Sequence, residues 1–152
     1  MAQQETTNDG VYIVKALRDY LNKTWGGKPA QIQLERFDKN PPAITMQQLA
    51  GAFITRKYVD GSYIGSFPFA MYVRVNARST KDTMDAVKAL NDLYEWLIAT
   101  DKDEQYTHLP PIDENTEALE FEMTSLPSLV ATYEEGFEDY QALFRLNYKK
   151  RR

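Results

Sequence analysis

The chain has 152 residues, enough for one domain that buries about two thirds of the surface its unfolded form would expose. A net charge of −4 argues against sequence-independent binding of nucleic-acid phosphates, which draws on a clustered excess of Lys and Arg. With no cysteine, disulfides and thiolate metal sites are excluded, and no apolar run reaches the ~18 residues that a membrane-crossing helix needs.

The chain opens on a polar leader, residues 1–8, without the basic-then-apolar pattern of a secretory signal, so the expected compartment is the cytosol of the producing cell. Val14, Leu17, Leu21 and Trp25 then recur at three- and four-residue steps, with Tyr20 alongside. That spacing predicts an amphipathic helix over 9–24, with Asp9 in the N-cap region and Gly26-Gly27, followed by Pro29, as its stop. Ile32 and Leu34 alternate with polar neighbours as in a half-buried strand, and Asp38-Lys39-Asn40-Pro41-Pro42 reads as a loop. Residues 43–48 carry no assignment.

Residues 49–76 read as a long β-hairpin turning at Asp60-Gly61. Its second arm alternates strictly: Phe67, Phe69, Met71, Val73 and Val75 on one face, Arg74 and Asn76 on the other. One face is therefore expected to be buried, and Pro68, which cannot donate a ladder hydrogen bond, is expected near an edge or bulge. A second helix follows over about 80–99, with Ser79 and Asp82 resembling a capping box and Met84, Val87, Leu90, Tyr94 and Leu97 as its apolar stripe. Residues 100–117 are polar, acidic and expected to be irregular. Leu119, Phe121 and Met123 then mark a strand, and Leu129–Tyr133 with Tyr140–Tyr148 a hairpin around Glu134-Glu135-Gly136. The order points to an α+β fold, a mainly antiparallel sheet with two helices packed on one face. The run Lys149-Lys150-Arg151-Arg152 is expected to be a solvated, basic C-terminal tail.

No catalytic, cofactor-binding or metal-binding residue emerges. Nucleophilic catalysis usually needs a base to activate the nucleophile, and the one histidine, His108, sits in a polar loop before Pro110-Pro111, where packing or exposure explains it. Asp101-Lys102-Asp103-Glu104-Gln105 begins like a calcium loop, but Tyr106 stands where the turn glycine belongs and Ile112 where the bidentate Glu belongs. No phosphate or dinucleotide loop is present, and Gly61 and Gly65 lie between two strands rather than before a helix. Glu120 and Glu122 share the strand face opposite Phe121 and Met123, where solvation accounts for them. The expectation is a protein that is not an enzyme and works through contact surfaces. Its 10 Tyr, 7 Phe and 2 Trp fit that, since such rings bury large rigid areas at interfaces, although the core is the ordinary place for any one of them. The hairpin tip Asp60-Gly61-Ser62-Tyr63-Ile64 is the candidate protein interface, with Tyr63 and Ile64 either exposed as anchors or folded back onto the domain's own sheet.

The stretch Thr124-Ser125-Leu126-Pro127-Ser128-Leu129-Val130-Ala131, then Glu134-Glu135-Gly136, then Tyr140 to Lys149, resembles the closing section of the "minor capsid" proteins encoded among phage head–tail genes, which are themselves similar to the tail terminators of long-tailed phages. The resemblance implies a tail-terminator-like fold and a stoichiometric role in the virion, at the head-proximal end of the tail. A homo-oligomeric ring, commonly a hexamer, would cap the tail tube protein, stop its polymerisation and offer a docking surface to the head–tail connector proteins. DNA would pass through the lumen without specific binding, and neither membrane nor cofactor takes part. Two alternatives stay open at this point: a head-completion or connector protein on the portal side, and a stand-alone non-enzymatic binding module.

Overall fold

A computed structural model describes residues 5–36, 40–77 and 80–152. Strand β1 (Thr6–Thr7) leads into helix α1 (Asp9–Thr24), followed by β2 (Ile32–Leu34), β3 (Ala43–Gln48), β4 (Ala52–Lys57) and β5 (Tyr63–Asn76). Helix α2 (Thr80–Leu97) then precedes β6 (Pro111–Asp113), β7 (Thr116–Thr132) and β8 (Phe137–Lys150). The fold is α+β: a mainly antiparallel sheet, curled into a half-barrel, with both helices against its inner face.

The sheet is organised about β5. On one side it pairs with β8 over its whole length, from Tyr63↔Lys150 to Asn76↔Phe137. On the other side it changes partner, from β4 at Tyr63–Ser66 to β3 at Phe69–Arg74. Pro68 falls in that gap. It lies inside a central strand rather than at an edge or bulge, and the structure shows why that is tolerated. Its carbonyl accepts Leu49 N–H at 3.1 Å from the loop between β3 and β4, so its missing donor falls on the side where no strand runs opposite.

Period-two alternation delivers Phe67, Phe69, Met71 and Val73 to the inner face, where Ala142, Phe144, Leu146 and Tyr148 of β8 join them. Phe69 stacks on Phe144 with centroids 5.4 Å apart and meets Phe121 edge-on at 6.4 Å. Helix α1 covers this face with Ile13, Val14, Leu17 and Leu21, and Trp25 seals its end; α2 covers it with Ala86, Leu90, Leu93 and Leu97. Tyr20 and Trp96 touch across the two helices at 6.0 Å.

Helix α1 occupies the expected span, and Asn8 rather than Asp9 stands at its N-cap, without a side-chain cap bond. In α2 the stripe is shifted. Met84 is 64% exposed, because the buried line through Leu90 and Leu97 runs by Ala86 and Leu93, and Met84 sits about 150° round from it at ~100° per residue. The Ser79 cap, and Asp38 and Lys39 of the expected loop, lie outside the described residues. Strand β3 goes beyond the sequence expectation: Ala43, Ile44, Thr45 and Met46 are buried consecutively, so no alternation betrays them. Within 100–117, expected to be irregular, β6 forms, β7 begins at Thr116, and Thr100 bridges Tyr106. Finally, β7 is one strand of 17 residues, where a break was expected between Met123 and Leu129; bulges absorb Leu126 and Pro127 without ending the ladder. Among the described residues no helix is long and apolar enough to cross a membrane.

Candidate functional site

The turn between β4 and β5 is held locally. Asp60 accepts Ser62 N–H at 2.9 Å and the Ser62 hydroxyl at 2.6 Å, and these bonds hold its carboxyl below the usual range. Gly61 adopts φ +91°, a conformation that costs other residues strain, and donates its N–H to the Tyr58 carbonyl. Of the five candidate interface residues, Asp60 and Gly61 are exposed, Ser62 is buried, and Tyr63 and Ile64 are half-buried.

Tyr63 is not a free anchor. It continues the inner-face series of Phe67 and Phe69 backwards by twos, so its ring turns toward α1 and its hydroxyl donates to Asp9. The Tyr148 hydroxyl donates to the same carboxylate oxygen at 2.8 Å, and Lys150 approaches the other oxygen at 4.0 Å. Burial, then the Asp9 carboxylate, push both phenols well above the usual tyrosine range. Gly65 makes room for this cluster: a Cβ there would overlap the Tyr148 ring. Strands β5 and β8 and the start of α1 are thus tied at one carboxylate. The exposed apolar residues of the tip are instead Tyr58, at 38%, and Val59, at 109% relative exposure.

The basic run is not a frayed tail. Lys149 and Lys150 are ladder residues of β8, between β5 and β7, and Arg151 N–H donates to the Asn115 carbonyl at 2.7 Å. Three cations here meet carboxylates: Lys57 with Glu5, Lys150 with Asp9 and Asp113, and Arg151 with Glu117. Arg56, Lys149 and Arg152 make no ion pair among the described residues, while Arg56 and Lys149 lie 5.2 and 5.6 Å from the Tyr58 ring centroid. One end of the sheet therefore carries exposed positive charge around Tyr58 and Val59.

The far half of β7 is the other feature. Beyond Glu117, where β6 ends its pairing, the outer edge of β7 has no strand partner among the described residues. From Met123 to Tyr133 no residue is charged. Leu126 and Val130 fall in bulges, outside the register with β8, and are 75% and 47% exposed; Leu129 is 48% exposed. A bulge turns such side chains away from the ladder. Free edges are ordinarily blunted by charge, and here the protection is Pro127 and the bulges alone. The turn that follows carries Glu134 and Glu135, exposed and without ion-pair partners among the described residues.

Beside this edge the outer face of the sheet is fixed by polar pairs. Arg74 binds Asp139 through two bonds at 2.8 and 3.0 Å, Tyr133 donates to Asp139 at 2.8 Å, and the guanidinium lies 4.9 Å from the Tyr133 ring centroid. Glu122 pairs with Arg145, and Asn147 donates to Glu120 at 2.9 Å, so the two glutamates are taken up singly by cross-strand partners. His108 stacks on Trp96 with centroids 3.8 Å apart, and its Nδ1 lies 2.8 Å from the Trp96 carbonyl oxygen. Asp101 accepts the N–H groups of Asp103 and Gln105, closing its loop on itself. No group of three or more His, Asp or Glu among the described residues is placed to hold a metal ion.

No protein-family model matches the chain, and no curated protein matches it. A solved structure of 14% identity matches 93% of this chain and 95% of its own, with a TM-score of 0.42, too distant to carry an argument.

Proposed function

We propose that this chain is a non-enzymatic virion assembly protein of the tail-terminator kind. It closes into a ring on the last layer of the tail tube, halts tube growth and presents a surface to the head connector. The observation that carries the reading is the fate of residues 124–149, the stretch with the phage-like wording. It forms the far half of β7, its turn and β8, and so includes the open, uncharged edge with Leu126, Leu129 and Val130 exposed. Open edges and exposed apolar residues together suit contact with other chains.

The physical role follows from geometry rather than turnover. Different surfaces meeting head to tail close a ring when the rotation per subunit closes, and give an open filament when it does not. A ring on a growing tube offers no further place for a tube subunit. A net charge of −4 lets DNA pass without sticking to the protein.

Electron microscopy of tails assembled with and without the chain tests this. Overlong or otherwise abnormal tails that fail to join heads are expected in its absence. Tails of normal length on filled heads would refute the reading. Normal length with unjoined heads would move it to the portal side, as a head-completion protein.

A further inference from the structure

We propose that copies of this chain join head to tail, the far half of β7 in one copy seating on the β4–β5 tip of the next. The inference rests on the ring reading above and assigns it two surfaces.

The two surfaces lie at opposite ends of one rigid ladder. Tyr63 pairs with Lys150 at one end and Asn76 with Phe137 at the other, 14 residues that span about 45 Å at ~3.3 Å each. The acidic end has Glu134 and Glu135, with Val130 leading up to them along the β7 edge and Leu126 farther back, level with Leu143. The basic end has Arg56, Lys149 and Arg152 around Tyr58 and Val59. Each end combines exposed apolar side chains with an excess of charges of one sign that make no ion pair among the described residues, three cations against Asp60 alone at the tip and two glutamates at the far turn, and the signs of the excess are opposite. Matched patches repel at like ends and attract at unlike ends, so the favoured encounter places the acidic end of one copy on the basic end of another.

Such an interface is heterologous, since the two surfaces differ, and each copy offers one of each. It therefore propagates and can close. It also weakens with salt, because exposed charges are screened beyond about 10 Å at 0.1 M ionic strength. A two-fold dimer through either patch alone would bring like charges together.

The full-length chain tests this by sedimentation and light scattering, over a concentration series at low and high salt. Four variants are compared, each first shown to melt as the parent does: Leu126→Ser with Val130→Ser, Tyr58→Ser with Val59→Ser, Glu134→Lys with Glu135→Lys, and Arg56→Glu with Lys149→Glu. The parent is expected to form closed oligomers that loosen with salt. Each variant is expected to weaken association at least about tenfold, the scale of losing central contacts. Mixing the Leu126/Val130 variant with the Tyr58/Val59 variant should give heterodimers that grow no further, since each brings one intact surface. Combining both charge reversals in one chain should restore the oligomer. A parent that stays monomeric to its solubility limit at low salt overturns the proposal, as does a full ring from any single variant. Failure here leaves the tail-length result untouched, and normal tails without the chain would leave these contacts standing while removing the ring's biological role.

Discussion

The two halves of the β7–β8 ladder share a backbone pattern and differ in almost everything else. In the near half, Ala118 and Phe121 of β7 face Tyr148 and Leu146 of β8, and all four are buried under the helices. In the far half, β8 remains buried at Asp139 and Tyr140 while its partner strand carries Leu126, Leu129 and Val130 to solvent. Backbone pairing is therefore not what decides burial here; the cover supplied by the helices is. The near half is packed into the core, and the far half leaves its apolar side chains in water. Four substitutions can break or sharpen that division.

The largest effect is expected at Phe144, fully buried, stacked on Phe69 and met by the tilted Tyr94 ring. Phe144→Ala should lower unfolding free energy by about 3–5 kcal/mol, from lost transfer energy and the cavity left behind. Denaturant titration reads this directly, and a loss below ~1 kcal/mol would show that the near half is not the core it looks to be.

Asp139 comes next, because it anchors the far half from the outer face. Asp139→Ala leaves Arg74, whose side chain is 14% exposed, without its carboxylate, and removes the Tyr133 acceptor. About 3 kcal/mol should be lost, the low end for breaking a buried pair. Replacing both partners by apolar residues, Arg74→Met with Asp139→Leu, should recover most of it, since no charge is then stranded. Equal losses in the single and double variants would mean that the pair itself, rather than the stranded guanidinium, carries the stability.

These divisions were only partly legible in the sequence. The helix over 9–24, the Asp60-Gly61 turn and the inner face of β5 were readable because one side of each is buried and the other wet, which writes a period into the residues. Strand β3 was not, because Ala43–Met46 is buried on both faces and its period vanishes. The continuity of β7 was hidden by Pro127, which reads as a break until bulges are known to absorb it. Met84 reads as a core residue because its spacing suits a helix, although the stripe's direction is set by where the sheet lies. At the interface tip, the signal that Tyr63 turns inward was present. Counting back by twos from Phe67 reaches it, although an aromatic beside the Asp60-Gly61 turn also reads as an exposed anchor. Tyr58 and Val59 are exposed because they precede the turn on the strand that ends first, a fact of pairing that residue type does not carry.

Tyr148 tests the near half's closure at the basic end. Tyr148→Phe keeps the ring and removes its bond to Asp9, for an expected loss of about 2 kcal/mol at neutral pH. The pH dependence has a definite sign. The folded phenols hold their protons more tightly than the ordinary value near 10. Their contribution is complete below about pH 10, where the unfolded chain also keeps its protons, and is lost as pH rises from there toward the higher folded values. Melting temperature should therefore fall in the alkaline range, and less steeply in Tyr148→Phe. An identical alkaline slope in parent and variant would remove Tyr148 from the account.

The smallest effect is expected in the far half, and there the smallness is the point. Leu126 is 75% exposed and sits in a bulge that Pro127 shares, so replacing it by Ser removes little apolar area that folding had buried. Surface changes away from caps, strained backbone and buried pairs usually stay within about 0.5 kcal/mol, and Leu126→Ser meets those conditions. The backbone pairing on either side, Ser125↔Leu143 and Ser128↔Gln141, does not involve its side chain. Parent and variant should therefore give superimposable denaturation curves at a protein concentration low enough to keep both monomeric. Any difference should appear only at concentrations where chains meet. A loss above ~1 kcal/mol in the dilute regime would mean that Leu126 packs on its own chain after all. The far half would then belong to the core, and the contrast between the two halves of the ladder would fail at the residue where it is sharpest.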